Sequence, residues 1–180
     1  TGSGPVGVGA VSGAGTVITG TLAAGTLHRE DRLELIGTHG GAEPGDEGTE
    51  VQVRGLQSRG GQLAELGPVS RAAVNLRGVD AEQVGRGDAL ITPGAWRLST
   101  QVDVRRTTGE DLAVAPGELI AHVGTAQVTA RVRPFGEEHA RLTLERPLPL
   151  AVGDALVLRG SGSHAVRTGV RVLDVDPPAL

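Results

Sequence analysis

This sequence of 180 residues contains no cysteine, lysine, methionine or tyrosine, and only one phenylalanine and one tryptophan. The absence of cysteine excludes a disulfide framework and thiolate chemistry, and it fits a reducing compartment. The absence of lysine excludes a phosphate-binding loop of the G-x-x-x-x-G-K-[ST] type. Because aromatic residues are so few, any hydrophobic core must be built from valine, leucine, alanine and isoleucine.

Long apolar segments are also missing. No run approaches the roughly 20 apolar residues that a membrane-spanning helix needs, and the N-terminus has no hydrophobic signal region. The opening T-G-S-G-P is typical of an added tag. These features predict a soluble, cytoplasmic fragment without a membrane partner.

The net charge of −4 argues against a protein that coats DNA or other nucleic acid by bulk electrostatics. Residues 1–93 carry seven arginines against eleven acidic residues, and the remaining residues carry ten against ten. Any nucleic-acid contact must therefore come from a local arginine patch. All 17 cationic residues are arginine. This suits bidentate phosphate contacts, and a compositional bias of the source genome explains it equally well.

Short segments of β-branched and aliphatic residues recur between glycine, proline and aspartate turns, and no segment offers three helical turns with one apolar stripe. This pattern predicts an all-β barrel or sandwich. A mobile hairpin loop is expected at 37–49, a long turn at 58–67, and a short turn or single helical turn at 81–86. Strands are expected at 13–22, 27–36, 51–56, 69–76, 88–91, 98–105, 119–123, 126–132, 140–145 and 166–175.

The segment T-P-G-A at 92–95 is the best domain boundary, because proline and glycine interrupt the pattern there and the charge balance changes. It predicts one domain at 1–94, including the possible tag, and another at 95–180. The tetrad G-D-A-L occurs at 87–90 and again at 153–156, each time before a strand. Two barrels that use the same turn would explain this repeat, and chance is the alternative.

No catalytic or metal-binding constellation is evident. The five histidines show no i,i+4 pair and have no carboxylate at ligand spacing, and G-x-S-x-G does not occur. We therefore predict no catalytic residue and no metal ligand.

The stretch G-A-G-T-V-I-T-G-T-L at 13–22, followed by A-A-G-T-L-H-R-E-D-R-L-E-L, resembles domain II of translational GTPases of the elongation factor Tu kind. Three later motifs narrow the resemblance to the selenocysteine-specific elongation factors, and the match runs in order from about residue 8 to the end. These motifs are V-R-G-L-Q-S-R-G-G at 53–61, S-R-A-A-V-N-L-R-G-V-D at 70–80 and R-G-D-A-L at 86–90.

The resemblance implies two consecutive antiparallel β-barrels, equivalent to domains II and III. It implies a tRNA-binding part of the translation factor that delivers selenocysteinyl-tRNA to the ribosome at recoded UGA codons in a GTP-dependent manner. The chain itself would not be an enzyme and would bind no cofactor, since GTP and magnesium belong to the GTPase domain of the parent factor. Its partners would be selenocysteinyl-tRNA, the ribosome and that GTPase domain. Two alternatives are a passive two-barrel module that docks to a GTPase domain, and the barrels of another translational GTPase.

Arg71 is the candidate residue for an aminoacyl pocket. It precedes an apolar strand face formed by Ala72, Val74 and Leu76, so its guanidinium must find an anionic partner or open onto a pocket. A salt bridge to a glutamate of the same barrel would satisfy it. The resemblance implies instead a pocket where the fixed cation favours an ionised selenolate over a neutral serine hydroxyl.

Candidate contacts to the tRNA backbone lie in the second half of the chain. Arg159, Ser163, His164 and Arg167 surround a glycine-serine loop whose amides, hydroxyl and cations could hold phosphates. A plain surface hairpin fits the same residues.

Arg131 and Arg133 alternate with apolar residues, so they form either a second exposed stripe or only a wet strand face. The family usually has an Asp-Arg pair and then an aromatic residue where this chain has Val6, Gly7 and Gly9. The implied aminoacyl pocket therefore differs here at its first strand.

Overall fold

The computed structural model describes residues 6–7, 10–11, 15–37, 48–162 and 166–179. The chain divides into two compact units, Thr1–Trp96 and Arg97–Leu180, and this division lies beside the proline-glycine segment at 92–95. In the described residues the regular structure is β-strand, apart from two 3-10 turns at Ala81–Gln83 and Leu112–Val114. The all-β prediction is therefore confirmed.

The first unit is a curled antiparallel sheet with a small two-stranded ribbon. The sheet order is β1-β10-β5-β6-β9-β3-β2, β7 pairs with β6, and β4 pairs with β8. Val6 of β1 pairs with Leu22 of β3 as well as with Leu90 of β10, so the two ends of the curled sheet meet. The strands are β1 Val6–Gly7, β2 Ala10–Val11, β3 Thr16–Leu22, β4 Leu27–His28, β5 Arg32–Ile36, β6 Thr49–Ser58, β7 Gly61–Leu63, β8 Glu65–Leu66, β9 Ser70–Arg77 and β10 Ala89–Ile91.

The prediction of a long turn at 58–67 is wrong, because this segment contains β7 and β8. Ser58 pairs with Gly61, which leaves Arg59 and Gly60 as a two-residue hairpin loop. Both loop residues have positive φ, 50° at Arg59 and 80° at Gly60, as a type I′ hairpin turn requires. Arginine is uncommon in this conformation, so the residue types at 59–60 do not predict a tight hairpin turn. The loop expected at 37–49 lies mostly outside the described residues.

The second unit is a closed antiparallel barrel with the strand order β11-β14-β13-β12-β15-β16, in which β16 returns to pair with β11. Two adjacent strands, β14 and β11, are also its longest. The strands are β11 Leu98–Gly109, β12 Glu118–Val123, β13 Ala126–Pro134, β14 His139–Pro149, β15 Ala155–Arg159 and β16 Val166–Asp174.

Alternation along the strands fills both units with small aliphatic side chains. Ile18 and Val74 are fully buried in the first unit, and Val102 and Leu142 are fully buried in the second. The only phenylalanine, Phe135, is 47% exposed and belongs to neither core. The expectation of cores without aromatic residues is thus met in the described residues, and packing depends on close contact among many small groups.

The repeated G-D-A-L tetrad marks the same turn in both units. In the first, the amide of Gly85 donates to Oδ2 of Asp88 at 2.8 Å; in the second, the amide of Ala151 donates to Oδ2 of Asp154 at 2.9 Å. The glycine before each aspartate has positive φ, 100° and 97° respectively. Each turn feeds directly into a strand, β10 or β15, so the repeat reflects one local solution used twice.

Candidate functional site

Arg71 lies on the outer face of the first unit. In β9 the side chains of Ala72, Val74 and Leu76 are buried, and Arg71 points the opposite way and is exposed. The period of two in a strand places Arg71 on the face opposite Ala72, Val74 and Leu76. Among the described residues, no carboxylate forms an ion pair with it, so the expected intrabarrel salt bridge is not found there.

An open cavity of about 750 Å³ adjoins Arg71. Arg59 at the tip of the β6–β7 hairpin contributes a second guanidinium, and Ser58 and Ser70 contribute hydroxyls. The hydroxyl of Ser58 donates to the backbone carbonyl of Arg71 at 2.7 Å, which ties the hairpin to β9. The remaining wall is mainly apolar, so the cavity suits a group with an apolar body and a negative charge.

A second cavity of about 400 Å³ lies alongside and contains Arg29 and Arg54. Neither arginine is among the site residues predicted from the sequence. Alternation with buried Val51 and Val53 turns Arg54 outward, and this signal is present in the sequence. That Arg29 lines the same cavity depends on tertiary structure.

In the second unit, Arg131 and Arg159 share one outer face. Arg131 on β13 lies opposite Glu118 of β12, and Arg159 on β15 lies opposite Ile120 of β12. Residues opposite each other, and residues two apart on one strand, point to the same side of a sheet. The two arginines are therefore about 12 Å apart with one glutamate between them, a spacing from strand geometry.

His122, which has no predicted partner in the sequence, also lies on this face. It follows Ile120 by two positions on β12, so it lies diagonally across from Arg159. Partial burial, and secondarily the positive charge of Arg159, lower the pKa of His122 from its ordinary value of 6.5. His122 is therefore neutral at pH 7.

This lowered pKa gives a testable pH dependence. As pH falls below 6.5, the unfolded chain binds a proton at His122 before the folded chain does, so the contribution of His122 to stability is lost toward acid. We expect an NMR titration to give a pKa below 6.5 for His122. Arg159→Gln should raise it part of the way back, because Arg159 is the smaller cause. Arg133→Gln serves as control and should leave it unchanged; a larger shift there would contradict this assignment.

The other predicted residues, Arg133 and Arg167, have different surroundings. Arg133 is exposed, two positions further along β13 from Arg131, and lies opposite Arg141 of β14. Arg141 is buried and binds Asp103 through two hydrogen bonds of 2.7 and 3.0 Å, and it donates to the carbonyl of Pro178 at 2.6 Å. The hydrogen bond to Asp103 raises the pKa of Arg141. Arg141 thus has a structural role, and Arg133 lies on the same outer face as Arg131.

Arg167 lies on β16 with its Nε 2.7 Å from Oε2 of Glu110, so its charge is already partly neutralised. Ser163 and His164 lie outside the described residues, as does Gly9. Val6 and Gly7 form strand β1. Of the predicted backbone contacts, the described structure therefore brings Arg131, Arg133 and Arg159 onto one face.

Among the described residues, no three histidines or carboxylates are grouped as a metal ion would need. Within that same part of the chain, no helix has the length and apolar character to cross a membrane.

Residues 100–179 match a family model described as the β-barrel domain of the selenocysteine-specific elongation factor. The chain is similar to the selenocysteine-specific elongation factor of Escherichia coli (strain K12), with 32% identity over 93% of this chain and 26% of that protein. It is also similar to elongation factor Tu 2 of Streptomyces avermitilis, with 30% identity over 84% of this chain and 40% of that protein.

Among solved structures, the crystal structure of the bacterial selenocysteine-specific elongation factor EF-Sec superposes with a TM-score of 0.75 at 22% identity. It covers 95% of this chain and 27% of that one. At this identity the likeness shows the fold. The chain spans about a quarter of the length of the selenocysteine-specific relatives that it matches.

Proposed function

The chain belongs to the family of selenocysteine-specific elongation factors, and from this membership we propose that it is the pair of tRNA-binding barrels of such a factor. In this proposal the two units correspond to domains II and III. The intact factor delivers selenocysteinyl-tRNA to the ribosome at recoded UGA codons in the cytoplasm. The barrels hold the acylated tRNA while a GTPase domain binds GTP and magnesium and switches their affinity. The lack of any lysine, and thus of a P-loop lysine, supports this division of labour.

The observation that carries the proposal is the position of Arg71. Its guanidinium lines an open, largely apolar cavity, and no carboxylate in the described part of the chain neutralises it. A selenol ionises at a lower pH than an alcohol, so at neutral pH the selenocysteine side chain is an anion and the serine side chain is neutral. A fixed cation stabilises only the charged one. The apolar wall strengthens this discrimination because it lowers the local dielectric constant.

The experiment compares the binding of selenocysteinyl-tRNA and of the same tRNA charged with serine, across a salt series. A charge-assisted hydrogen bond contributes about 1.5 to 3 kcal/mol, so Arg71→Ala should reduce the preference for the selenocysteinyl form about tenfold or more. Arg77→Ala is the matched control, because Arg77 is exposed on the same strand and lines neither cavity. It should leave the preference unchanged.

Three other outcomes of this binding experiment would contradict parts of the proposal. A preference that survives Arg71→Ala would remove Arg71 from the pocket. Equal, salt-sensitive binding of both tRNAs by the unaltered chain would leave only phosphate contacts and would favour the barrels of a less selective translation factor. No binding to either tRNA would favour a passive module that docks to a GTPase domain.

A further inference from the structure

Three basic side chains form a row across the outer face of the second unit, on β16, β11 and β14. Arg105 of β11 lies opposite Arg171 of β16 on one side and opposite His139 of β14 on the other. Directly opposite residues point to the same side of a sheet, and all three side chains are exposed. Neighbouring strands lie about 4.8 Å apart, so this basic row is about 10 Å long.

The basic row lacks carboxylates that would neutralise it. In the described part of the chain, no ion pair involves Arg105, Arg171 or His139. Arg171 donates through Nη1 to the carbonyl of Gly153 at 2.7 Å, which holds its guanidinium in place. Like charges directly opposite one another on paired strands reduce stability. An anion between Arg105 and Arg171 would remove this repulsion, and phosphate oxygens match guanidinium groups bidentately.

The only phenylalanine of the chain lies next to the basic row. The amide of Phe135 donates to the carbonyl of His139 at 2.8 Å, and its ring lies over the guanidinium of Arg141, with 5.9 Å between the ring centroid and Cζ. Arg141 is itself held by Asp103 and by the carbonyl of Pro178. The guanidinium covers one face of the ring, and the ring is still 47% exposed, so its other face is open. Phe135 is therefore a supported aromatic surface on which a flat group can stack.

Two carboxylates on the same face are engaged within the protein. Asp103 lies opposite Asp174, and both oxygens of Asp103 accept hydrogen bonds from Arg141. Oδ1 of Asp174 accepts a hydrogen bond from the amide of Asp176 at 2.9 Å. The charge of Arg141 offsets one of the two carboxylates, so they weaken but do not cancel the field of the basic row.

The hairpin between β13 and β14 limits where an anionic ligand can lie. Glu137 and Glu138 are exposed in this hairpin, and their carboxylates repel phosphate. A phosphate chain therefore fits along Arg105 and Arg171, which lie on the strands farther from the hairpin. An uncharged base attached to that chain is not repelled and can reach Phe135.

We propose that the basic row and Phe135 bind a single-stranded stretch of a second RNA, distinct from the acylated tRNA. The guanidinium groups of Arg105 and Arg171 hold its phosphates, and an unstacked base lies on the open face of Phe135. A duplex presents phosphates but no free base, so the aromatic ring selects a single strand. This inference goes beyond the proposed function and does not depend on the aminoacyl cavity.

The position of this surface in the barrel lets it act beside a bound tRNA. In the closed strand order, β16, β11 and β14 form one half of the barrel, and β13, β12 and β15 form the other. Arg131 and Arg159, the predicted tRNA contacts, belong to that other half. The second unit can therefore hold two RNAs on two sides at once.

The test uses the single phenylalanine as a site-specific probe. Fluorophenylalanine incorporated into the whole chain labels position 135 alone, and this position lies outside both cores. The fluorine NMR signal is followed while a short unstructured RNA, the same RNA annealed to its complement, or polyglutamate is added over a salt series. We expect a saturable shift with the single strand only. The difference between spectra in light and heavy water should also shrink, because a stacked base displaces water from the ring.

The role of the arginines is tested with Arg105→Gln combined with Arg171→Gln. The control combines Arg77→Gln with Arg86→Gln, which removes the same charge from exposed positions of the first unit. For a single strand, each phosphate contact contributes about 0.7 to the slope of log K against log salt. The Arg105/Arg171 variant should lose about 0.7 if the arginines share one phosphate and about 1.4 if each holds one. The control should keep the slope, and melting curves should show both variants to be folded.

Four results would overturn this proposal. The first is the absence of any fluorine shift with the single strand at low salt, and the second is an unchanged slope, or an equal loss of slope, in the two arginine variants. Equal shifts with single-stranded and duplex RNA would exclude stacking on Phe135. A shift with polyglutamate as large as that with RNA would assign the surface to an acidic protein segment instead.

Discussion

Gly109→Ala is expected to destabilise the second unit by about 2 to 5 kcal/mol, because two costs coincide at this position. Gly109 ends β11 with φ of 84°, and a side chain in the left-handed region costs about 1 to 2 kcal/mol. An added Cβ would also overlap the carbonyl oxygen of Arg167 and lie 2.9 Å from the Cα of Thr168, both in the backbone of β16. Neither contact can be relieved by a rotamer change. Overpacking of this kind adds about 1 to 3 kcal/mol.

This site lies at the pairing that closes the barrel. Gly109 pairs with Thr168, and the next amide, that of Glu110, donates to the carbonyl of Arg167 at 3.0 Å. We therefore expect the loss to appear as a lower melting temperature and as faster hydrogen exchange in β16. In a unit of this size each kcal/mol shifts the midpoint by about 4 to 8 °C.

Gly124→Ala separates the two costs. Gly124 also has positive φ, 55°, but a Cβ there would have no heavy atom within 4 Å. Its expected cost is only the conformational one, about 1 kcal/mol. If both alanine variants have the same melting temperature, the close approach of β11 and β16 is not the reason for glycine at position 109.

The second large effect is expected from Leu142→Ala, about 3 to 5 kcal/mol. Leu142 is fully buried in β14 and lies between Val102 of β11 and Val132 of β13. Truncation removes transfer free energy and leaves a cavity. The surrounding side chains are leucine, valine and alanine. Leucine and valine side chains on the strands of a closed barrel have little freedom to move into the cavity that the truncation leaves. The loss of unfolding free energy should therefore lie near the upper end of the range for leucine-to-alanine substitutions.

Chemical denaturation measures this difference, and Leu173→Ala is the matched control on β16. Leu173 is 44% exposed, so its truncation should cost less than about 1 kcal/mol. A loss at Leu142 no greater than at Leu173 would mean that the barrel interior repacks, contrary to the close-packed core described above.

Local pattern accounts for much of the fold. The alternation of Leu33 and Leu35 with polar residues predicts β5, and the alternation around Arg131 predicts an exposed arginine next to buried Ala130 and Val132. Both are confirmed because side-chain direction in a strand repeats every two residues, and this period is written in the sequence. The turns at Asp88 and Asp154 are likewise local, since each involves contacts within four residues.

The β6–β7 hairpin shows where local pattern fails. Arg59 takes a backbone conformation that its residue type disfavours, and the paired strands on either side determine it. The same hairpin brings Arg59 to the cavity of Arg71. Because the sequence does not predict the hairpin, it does not predict Arg59 as a residue of this site either.

Local sequence pattern alone predicts an all-β protein with aliphatic cores, and the motifs resemble those of one family of elongation factors. Only the folded chain shows that Arg59 lines the cavity beside Arg71 and that Arg29 and Arg54 line the adjacent one. It also places His122 near Arg159 and pairs Arg167 with Glu110. The two kinds of feature differ in the sequence separation over which their causes act. Strand period and turn chemistry act between near neighbours, whereas strand register, bulges and barrel closure place residues far apart in sequence side by side.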